Sequence, residues 1–245
     1  MVTQQRPSTV YSTEHAEIYD FIHAARGRDW SAEADGITRL VRERCPAADS
    51  LLDVACGTGA HLERFAGHFG TVAGVELSPE MRRTATRRVP AARVHEGDMR
   101  EFELGRTFDA VLCMCFSMGY MSTVEELRRS AAALVRHLAP GGVLVAEPWW
   151  FPEQFMDGFI SASLAQEEGR AVSRLSHSVR DGRVSRMTVR YTVAEATGIR
   201  EFTEYETYSL FTREEYLEAF RQAGCEMEFL SDWPNGRGLF IGGRP

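Results

Sequence analysis

Leu51-Leu52-Asp53-Val54-Ala55-Cys56-Gly57-Thr58-Gly59, followed by Ala60-His61-Leu62, is the stretch whose reading decides the fold. It reads as a short buried strand that runs into a glycine turn and opens a helix. Gly57 and Gly59 carry no Cβ, so the backbone there can take unusual dihedrals and lie directly against a ligand. Asp53, at the strand end, sets a carboxylate in the same crevice. That is a poor lining for a phosphate and a good one for a ligand carrying a cation. Nineteen residues after Gly57, Gly74-Val75-Glu76-Leu77 ends a second strand with an acid, the usual place for holding a ribose diol.

The order strand, Gly-x-Gly, helix, strand, acid points to a nucleoside, and S-adenosyl-L-methionine fits better than a dinucleotide. The dinucleotide fingerprint needs a third glycine three residues on, where this chain has Leu62. A phosphate loop ending Gly-Lys-Ser/Thr is absent as well. A lone Gly-x-Gly is also a common structural turn; Asp53 and Glu76 together carry the cofactor reading.

At 245 residues the chain can bury one full α/β core with a small insert. A net charge of −7 offers no basic field for nucleic acid. All 28 basic residues are Arg, which suits bidentate capture of a diphosphate. The five cysteines (Cys45, Cys56, Cys113, Cys115, Cys225) are odd in number and lack zinc spacing, so no metal is expected and the thiols read as reduced. No stretch approaches the ~20 apolar residues of a membrane helix. Met1 to Ser8 holds no apolar signal core. A cytoplasmic protein is expected.

Residues 1–10 are polar and read as frayed. Val10 to Ile22 is amphipathic and aromatic, either a lid over the crevice or a helix packed on the sheet edge. Ser31 is placed to cap the next helix, which Pro46 closes. After the glycine loop, strands at Thr71–Leu77, Ala92–His95, Phe108–Phe116 and Val143–Glu147 alternate with helices. One helix starts at Ser78-Pro79-Glu80 and another at a Ser122/Glu125 capping box. This alternation predicts an α/β fold with a Rossmann-like, doubly wound parallel sheet. Beyond Pro148 the period changes to two: Val172–Val179, the Asp181-Gly182 turn, Val184–Val193, then Arg200–Phe211. These are antiparallel strands. Thr212 and Glu215 then cap a helix, and Cys225–Leu230 with Gly238–Ile241 finish the sheet as a hairpin. The expected division is a helical lid region (1–50), a cofactor-binding core (51–156), an antiparallel β insert (157–211) and the end of the core (212–245).

Ligands of such sheets bind beyond the carboxyl ends of the strands, near the point where strand order reverses. That rule collects Asp53 to Gly59, Glu76-Leu77, Asp98-Met99, Met114 to Tyr120 and Glu147 to Phe151. Asp98 is placed to accept from an adenine amino group, with apolar Met99 beside the ring. Asp53 to Gly59, Gly97-Asp98-Met99-Arg100, Glu147-Pro148-Trp149-Trp150-Phe151-Pro152-Glu153, Ser176-His177-Ser178-Val179-Arg180 and Gly236-Arg237-Gly238-Leu239-Phe240 stand in an informative order. Over residues 10 to 243 the chain resembles the N,N-dimethyltransferases that finish TDP-linked amino sugars of the desosamine and mycaminose type for antibiotic biosynthesis. They belong to the class I S-adenosylmethionine-dependent methyltransferases, with a seven-stranded sheet. The double-tryptophan and Arg-Gly-Leu-Phe motifs are the specific ones.

The resemblance implies that Ala55, Glu76, Asp98, Met99 and Met114 hold S-adenosyl-L-methionine while Tyr19 and Arg26 close over it. It places Tyr11 and Tyr120 beside the reacting amine. It also implies that Trp149, Phe151, Ser176, His177, Arg180 and Arg237 receive the TDP-sugar, with the arginines on the diphosphate. A homodimer is the family expectation. The chemistry expected is in-line attack of a sugar amine on the sulfonium methyl. Alignment contributes about 7–11 kcal/mol, whereas freeing an amine of lysine-like basicity at pH 7 costs about 4–5 kcal/mol. Positioning therefore outweighs proton removal, and no strong general base is required. Two other readings fit the residues: a methyltransferase for another small metabolite, acting at oxygen, and a non-catalytic nucleoside-binding module.

Overall fold

The computed structural model describes residues 11–244, and the expectation for residues 1–10 lies outside them. Two sheets make up the molecule. The larger contains β1 (Ser50–Val54), β2 (Thr71–Glu76), β3 (Arg93–Glu96), β4 (Phe108–Cys113), β5 (Leu138–Ala146), β10 (Glu226–Leu230) and β11 (Leu239–Gly243). Its order is β10-β11-β5-β4-β1-β2-β3. β1 runs parallel to both β2 and β4, so strand order reverses there and a crevice opens at their carboxyl ends. β11, between β5 and β10, runs against both of its neighbours.

Successive residues of a strand face opposite sides, and both faces of this sheet are covered. Leu52, Val54, Val111 and Leu144 join a core with α5 (Val124–Arg136) and α6 (Arg213–Gln222). Leu51, Leu112 and Val145 join a second core with α2 (Trp30–Arg44) and α3 (Ala60–Phe65). α4 (Pro79–Arg88) carries its cap at Ser78 and its proline in the first turn, as read from sequence.

The smaller sheet is the antiparallel series β6 (Phe159–Glu167), β7 (Arg170–Asp181), β8 (Val184–Glu195) and β9 (Gly198–Ser209). Its first strand escaped the sequence reading because only the later three carry a strong period of two. α1 (Thr13–Ala25) lies on its inner face, where Ile18 and Ile22 pack against Val172, Val189, Tyr191 and Val193. α1 also touches α4 through Tyr19 and Met81. It therefore bridges the two sheets above the crevice. No helix among the described residues is long and apolar enough to cross a membrane.

Two caps sit one or two residues from their expected places. Asp29, not Ser31, caps α2, because its extended backbone lets one carboxylate oxygen accept from both Ser31 and Ala32. Thr123 and Glu126, not Ser122 and Glu125, start α5: Thr123 accepts from the Glu126 amide while the Glu126 carboxylate reaches back to Ser122. The Thr212/Glu215 box at α6 is present in full.

Thr212 Oγ1 accepts from the Glu215 amide at 3.2 Å, and Glu215 accepts from the Thr212 amide at 2.9 Å. Removing this cap by Thr212→Ala is expected to destabilise the protein by about 1 kcal/mol. For a chain of this size that lowers the thermal midpoint by roughly 2–4 °C in a calorimetric melt.

Candidate active site

Beyond β1 the chain turns sharply. Ala55, Gly57 and Gly59 have φ of 59°, 57° and 77°, in the left-handed region. A Cβ on Gly59 would lie 3.0 Å from the α4 backbone at Ala85, so this position needs glycine on two counts. The loop and the ends of β2, β3 and β4 enclose a narrow cleft of about 90 Å³. Asp53, Ala55, Gly57, Glu76, Leu77, Asp98, Met99 and Met114 all line it, and Tyr11, Tyr19 and Trp30 roof it. Gly59 stands behind as the first residue before α3.

The donor set fits S-adenosyl-L-methionine. Glu76 accepts from the Gly57 amide at 2.9 Å with one oxygen and from the Ser78 amide at 2.7 Å with the other, which fixes both oxygens at the rim and leaves each a lone pair for a diol. Burial pushes its carboxyl above the ordinary range. Burial lifts Asp53 as well, to about 7, with Glu76 adding to the rise and His61 opposing it. A buried acid poised there ionises readily for a cationic ligand. Asp98 lines the cleft and is paired with Arg100: both its oxygens bind that guanidinium, at 2.9 Å to Nε, and these bonds hold its pKa down against the rise from burial. It forms cleft wall as part of an ion pair.

A second cavity of about 1070 Å³ lies between the larger sheet's edge and the inner face of the smaller sheet. Trp149 and Ser176 line it, as read from sequence, and so does Arg237. The Trp149 indole donates to Ser185 at 2.9 Å and stacks on Tyr208 at 4.3 Å. Arg237 lies over Phe116, Trp150 and Trp149 at 4.8, 5.4 and 5.8 Å.

Beneath it is Glu147, fully buried at the end of β5. Its carboxylate accepts from Arg237 at 2.7 Å, Arg28 at 3.2 Å and the Cys115 amide at 2.9 Å. Burial alone would raise its pKa, but the two guanidiniums hold it below the ordinary range. The Cys115 bond also secures a strained turn, because Cys115 and Phe116 both have positive φ.

Tyr11 lines both cavities. Its hydroxyl lies 2.6 Å from that of Tyr120, which lies 2.7 Å from that of Tyr208. The two residues expected beside the reacting amine thus stand together at the junction.

Four expected positions are different. Arg26 lines the large chamber and not the cofactor cleft, because it sits at the far end of α1 beyond Tyr19. Phe151 is fully buried against Tyr216, Phe229 and Phe240 and lines neither cavity. His177 is exposed on the outer face of β7, since its neighbours Ser176 and Ser178 point inward. Arg180 is tied to the carbonyls of Gly182 and Pro152 at the exposed end of the same strand. The chamber holds instead Arg174, Tyr191, Glu206 and Tyr208, none singled out from sequence. Their signal was the period of two: Arg174 shares a face with Ser176, and Glu206 with Tyr208.

Strand-end acids, a glycine turn and an adjoining second cavity are the features of an S-adenosyl-L-methionine-dependent methyltransferase. Residues 51–142 match the family described as "Methyltransferase domain". The dTDP-4-amino-2,3,4,6-tetradeoxy-D-glucose N,N-dimethyltransferase of Saccharopolyspora spinosa is 60% identical, over 96% of this chain and 94% of that relative. The dTDP-3-amino-3,4,6-trideoxy-alpha-D-glucopyranose N,N-dimethyltransferase of Streptomyces venezuelae is 51% identical, over 95% of this chain and 99% of that one. Among solved structures, SAM-bound CalS10, an amino pentose methyltransferase from Micromonospora echinaspora involved in calicheamicin biosynthesis, superposes with a TM-score of 0.88. It is 50% identical and the match covers 93% of this chain and 97% of that one. The chain belongs to the dTDP-amino-sugar N,N-dimethyltransferases.

Two outcomes follow from the geometry. With Asp53 titrating near 7 in the free protein, a cation favours its ionised form, so cofactor binding should release protons below pH 7 and tighten as pH rises through 7. Calorimetry in buffers of different ionisation enthalpy measures this, and Asp53→Asn should abolish the release. Phe151→Ala should cost about 3–5 kcal/mol of stability by leaving a core cavity. The KM for sugar nucleotide, measured on the folded enzyme, should stay within about twofold of wild type, a change under ~0.5 kcal/mol.

Proposed function

We propose that this enzyme adds two methyl groups in succession to the amine of a dTDP-linked deoxy-amino sugar, and that its two sheets divide the work. In this reading residues 51–156 and 212–245 hold the cofactor, residues 157–211 form the sugar-nucleotide wall, and α1 roofs the junction. The observation that carries the reading is the pair Arg26 and Arg174. Both guanidiniums face the large chamber, and among the described residues neither has a carboxylate within ion-pair distance. Burial and the nearby charge of Arg174 lower the pKa of Arg26 while Tyr191 and Glu206 oppose the fall, which leaves the two cations room for a further anion at ion-pair distance. A diphosphate supplies that anion. Arg237, already engaged with Glu147, serves the aromatic wall that Trp149 and Trp150 complete.

Bound in the cleft, S-adenosyl-L-methionine supplies an activated methyl on a sulfonium sulfur. Glu76 holds the ribose diol, Asp53 faces the cationic end, and Met99 and Met114 flank the base. Tyr11 and Tyr120 place the sugar amine where the two cavities meet. The relative that is 60% identical is named for a 4-amino sugar, so we assign the amine to C4. The antibiotic-pathway setting of the relatives extends to this chain in the same proposal.

We further propose a homodimer, working in the cytoplasm, joined through the outer face of the smaller sheet. Ile160, Leu164, Leu175 and Tyr205 lie on that face at 66, 62, 54 and 67% exposure. Ile160, Leu164 and Leu175 gather on the neighbouring strands β6 and β7, with Tyr205 apart on β9, and an exposed apolar cluster of this kind marks an association surface.

Incubation with the cofactor and a panel of 4-amino and 3-amino dTDP-sugars, followed by mass, tests the reaction; the expected product carries two added methyl groups. Arg174→Ala should raise the KM for the sugar nucleotide roughly 10- to 100-fold, about 1.4–3 kcal/mol for a lost charge-assisted contact, with cofactor affinity unchanged. Leu164→Glu combined with Leu175→Glu should convert a dimer to monomers by light scattering.

A further inference from the structure

The tyrosine series at the junction does not end at Tyr208. Tyr208 donates its hydroxyl proton to Glu206, which lies on the inner face of β9 and borders the large chamber. Four side chains from three distant segments thus form one file: Tyr11, Tyr120, Tyr208, Glu206. The first touches the place where the amine meets the methyl donor, and the last is a carboxylate.

The chemistry of these groups fixes the direction of every bond in the file. An ionised carboxylate only accepts, and a phenol has one proton to give. Tyr208 spends its proton on Glu206, the stronger acceptor. It must then accept from Tyr120, and Tyr120 from Tyr11. Tyr11 Oη is left with lone pairs alone facing the junction.

We infer that Glu206, acting through Tyr208, Tyr120 and Tyr11, sets an acceptor-only oxygen that orients the sugar amine, receives its proton, and stops methylation at two. This rests on the amino-sugar reading above. An amine N–H donates to Tyr11 Oη, which aims the nitrogen lone pair at the methyl carbon. The new C–N bond forms as the C–S bond breaks, and that electron pair stays on sulfur as a neutral thioether. An ammonium, whether the arriving substrate before attack or the product of a transfer, gives one proton to Tyr11, Tyr11 passes its own to Tyr120, Tyr120 to Tyr208, and Tyr208 to Glu206. Glu206, now a neutral acid, releases the proton to water through the chamber it borders, and the hydroxyls rotate back.

The limit of two is then arithmetic on N–H groups. To attack, a nitrogen must keep its lone pair free and still offer Tyr11 one N–H. A primary amine offers two and a monomethylamine one. A dimethylamine offers none while its lone pair is free, so it is not held for a third transfer.

The groups facing Glu206 are Tyr208 and Glu204 on β9, Arg174 on β7, Tyr191 on β8, Arg26 at the end of α1, and Tyr11 with Tyr120. The two arginines favour its ionised form, while burial and Glu204 oppose it, and its pKa stands above the ordinary range.

The test is Glu206→Gln, of the same shape, with Tyr120→Phe as an independent break in the middle of the file. The amide that replaces the carboxylate can meet Tyr208 with its carbonyl or its N–H, so the direction is no longer fixed. Methylation of a 4-amino dTDP-sugar with cofactor in excess is followed by mass across pH 6 to 10. Both variants should transfer methyl about 100-fold more slowly at pH 7, in the range of a lost acid–base group. Their rates should climb with pH toward wild type as the amine arrives unprotonated, and monomethyl product should accumulate. Cofactor Kd, read separately, should match wild type and reports that the variants are folded. If either folded variant keeps the wild-type rate and pH profile, the inference is wrong. A wild-type enzyme that methylates no amino sugar overturns the preceding reading, and this one with it.

Discussion

A single carboxylate with no exposure to water, Glu147, holds the two halves of the site in register. It ends β5 and takes bonds from Arg28, which precedes α2, from Arg237 in the loop before β11, and from the strained backbone at Cys115. Arg28 in turn binds Glu33 at 2.8 Å, and Glu33 binds His61 at 2.8 Å on the wall of the cofactor cleft. Burial of this kind is weak evidence for stability, because desolvating the charges offsets much of their attraction. Its value lies in position. Removing the carboxylate would strand two cations beside the chamber, a loss of about 3–5 kcal/mol in comparable sites.

The aromatic wall depends on that anchor. Arg237 reaches over Phe116 and the two tryptophans only because Glu147 fixes its far end. The same turn that delivers the Cys115 amide to Glu147 turns the chain into the short 3-10 helix, Ser117–Tyr120, and so places the Tyr120 hydroxyl between Tyr11 and Tyr208. Cofactor cleft, chamber and tyrosine junction therefore share one electrostatic fixture.

The cofactor half was legible in the sequence because local chemistry determines it. A strand, two glycines and an acid at the next strand end are positions that few other residues can fill, and Gly59 against Ala85 shows why. Asp53, Glu76, Met99 and Met114 fell where they were expected. The chamber half was read less well, for a reason of phase. Ser176 and His177 are consecutive in β7, so they cannot both face one cavity. Choosing the phase through Ser176 brings in Arg174 and Ser178 and rejects His177. Phe151 shows a different limit: an aromatic beside two tryptophans looks like binding surface, yet its neighbours in space, Tyr216 and Phe240, come from segments that no local pattern connects. Glu206 and Tyr208 were hidden in the same way, being partners of Tyr120 only through the packing of one sheet on the other.

The alternation that misled the reading of β7 also gives the molecule a useful property. Under the proposed division, the wall facing the sugar nucleotide is made of every second residue on strands that contribute nothing to the parallel sheet, while the methyl-donor side is built from loops anchored in that sheet. A lineage, or a protein engineer, can therefore exchange inward residues such as Ser161, Ser176 or Met187 and retune which sugar is accepted, leaving the methyl-donor machinery untouched. Diversification of acceptor under a constant donor is written into the topology itself.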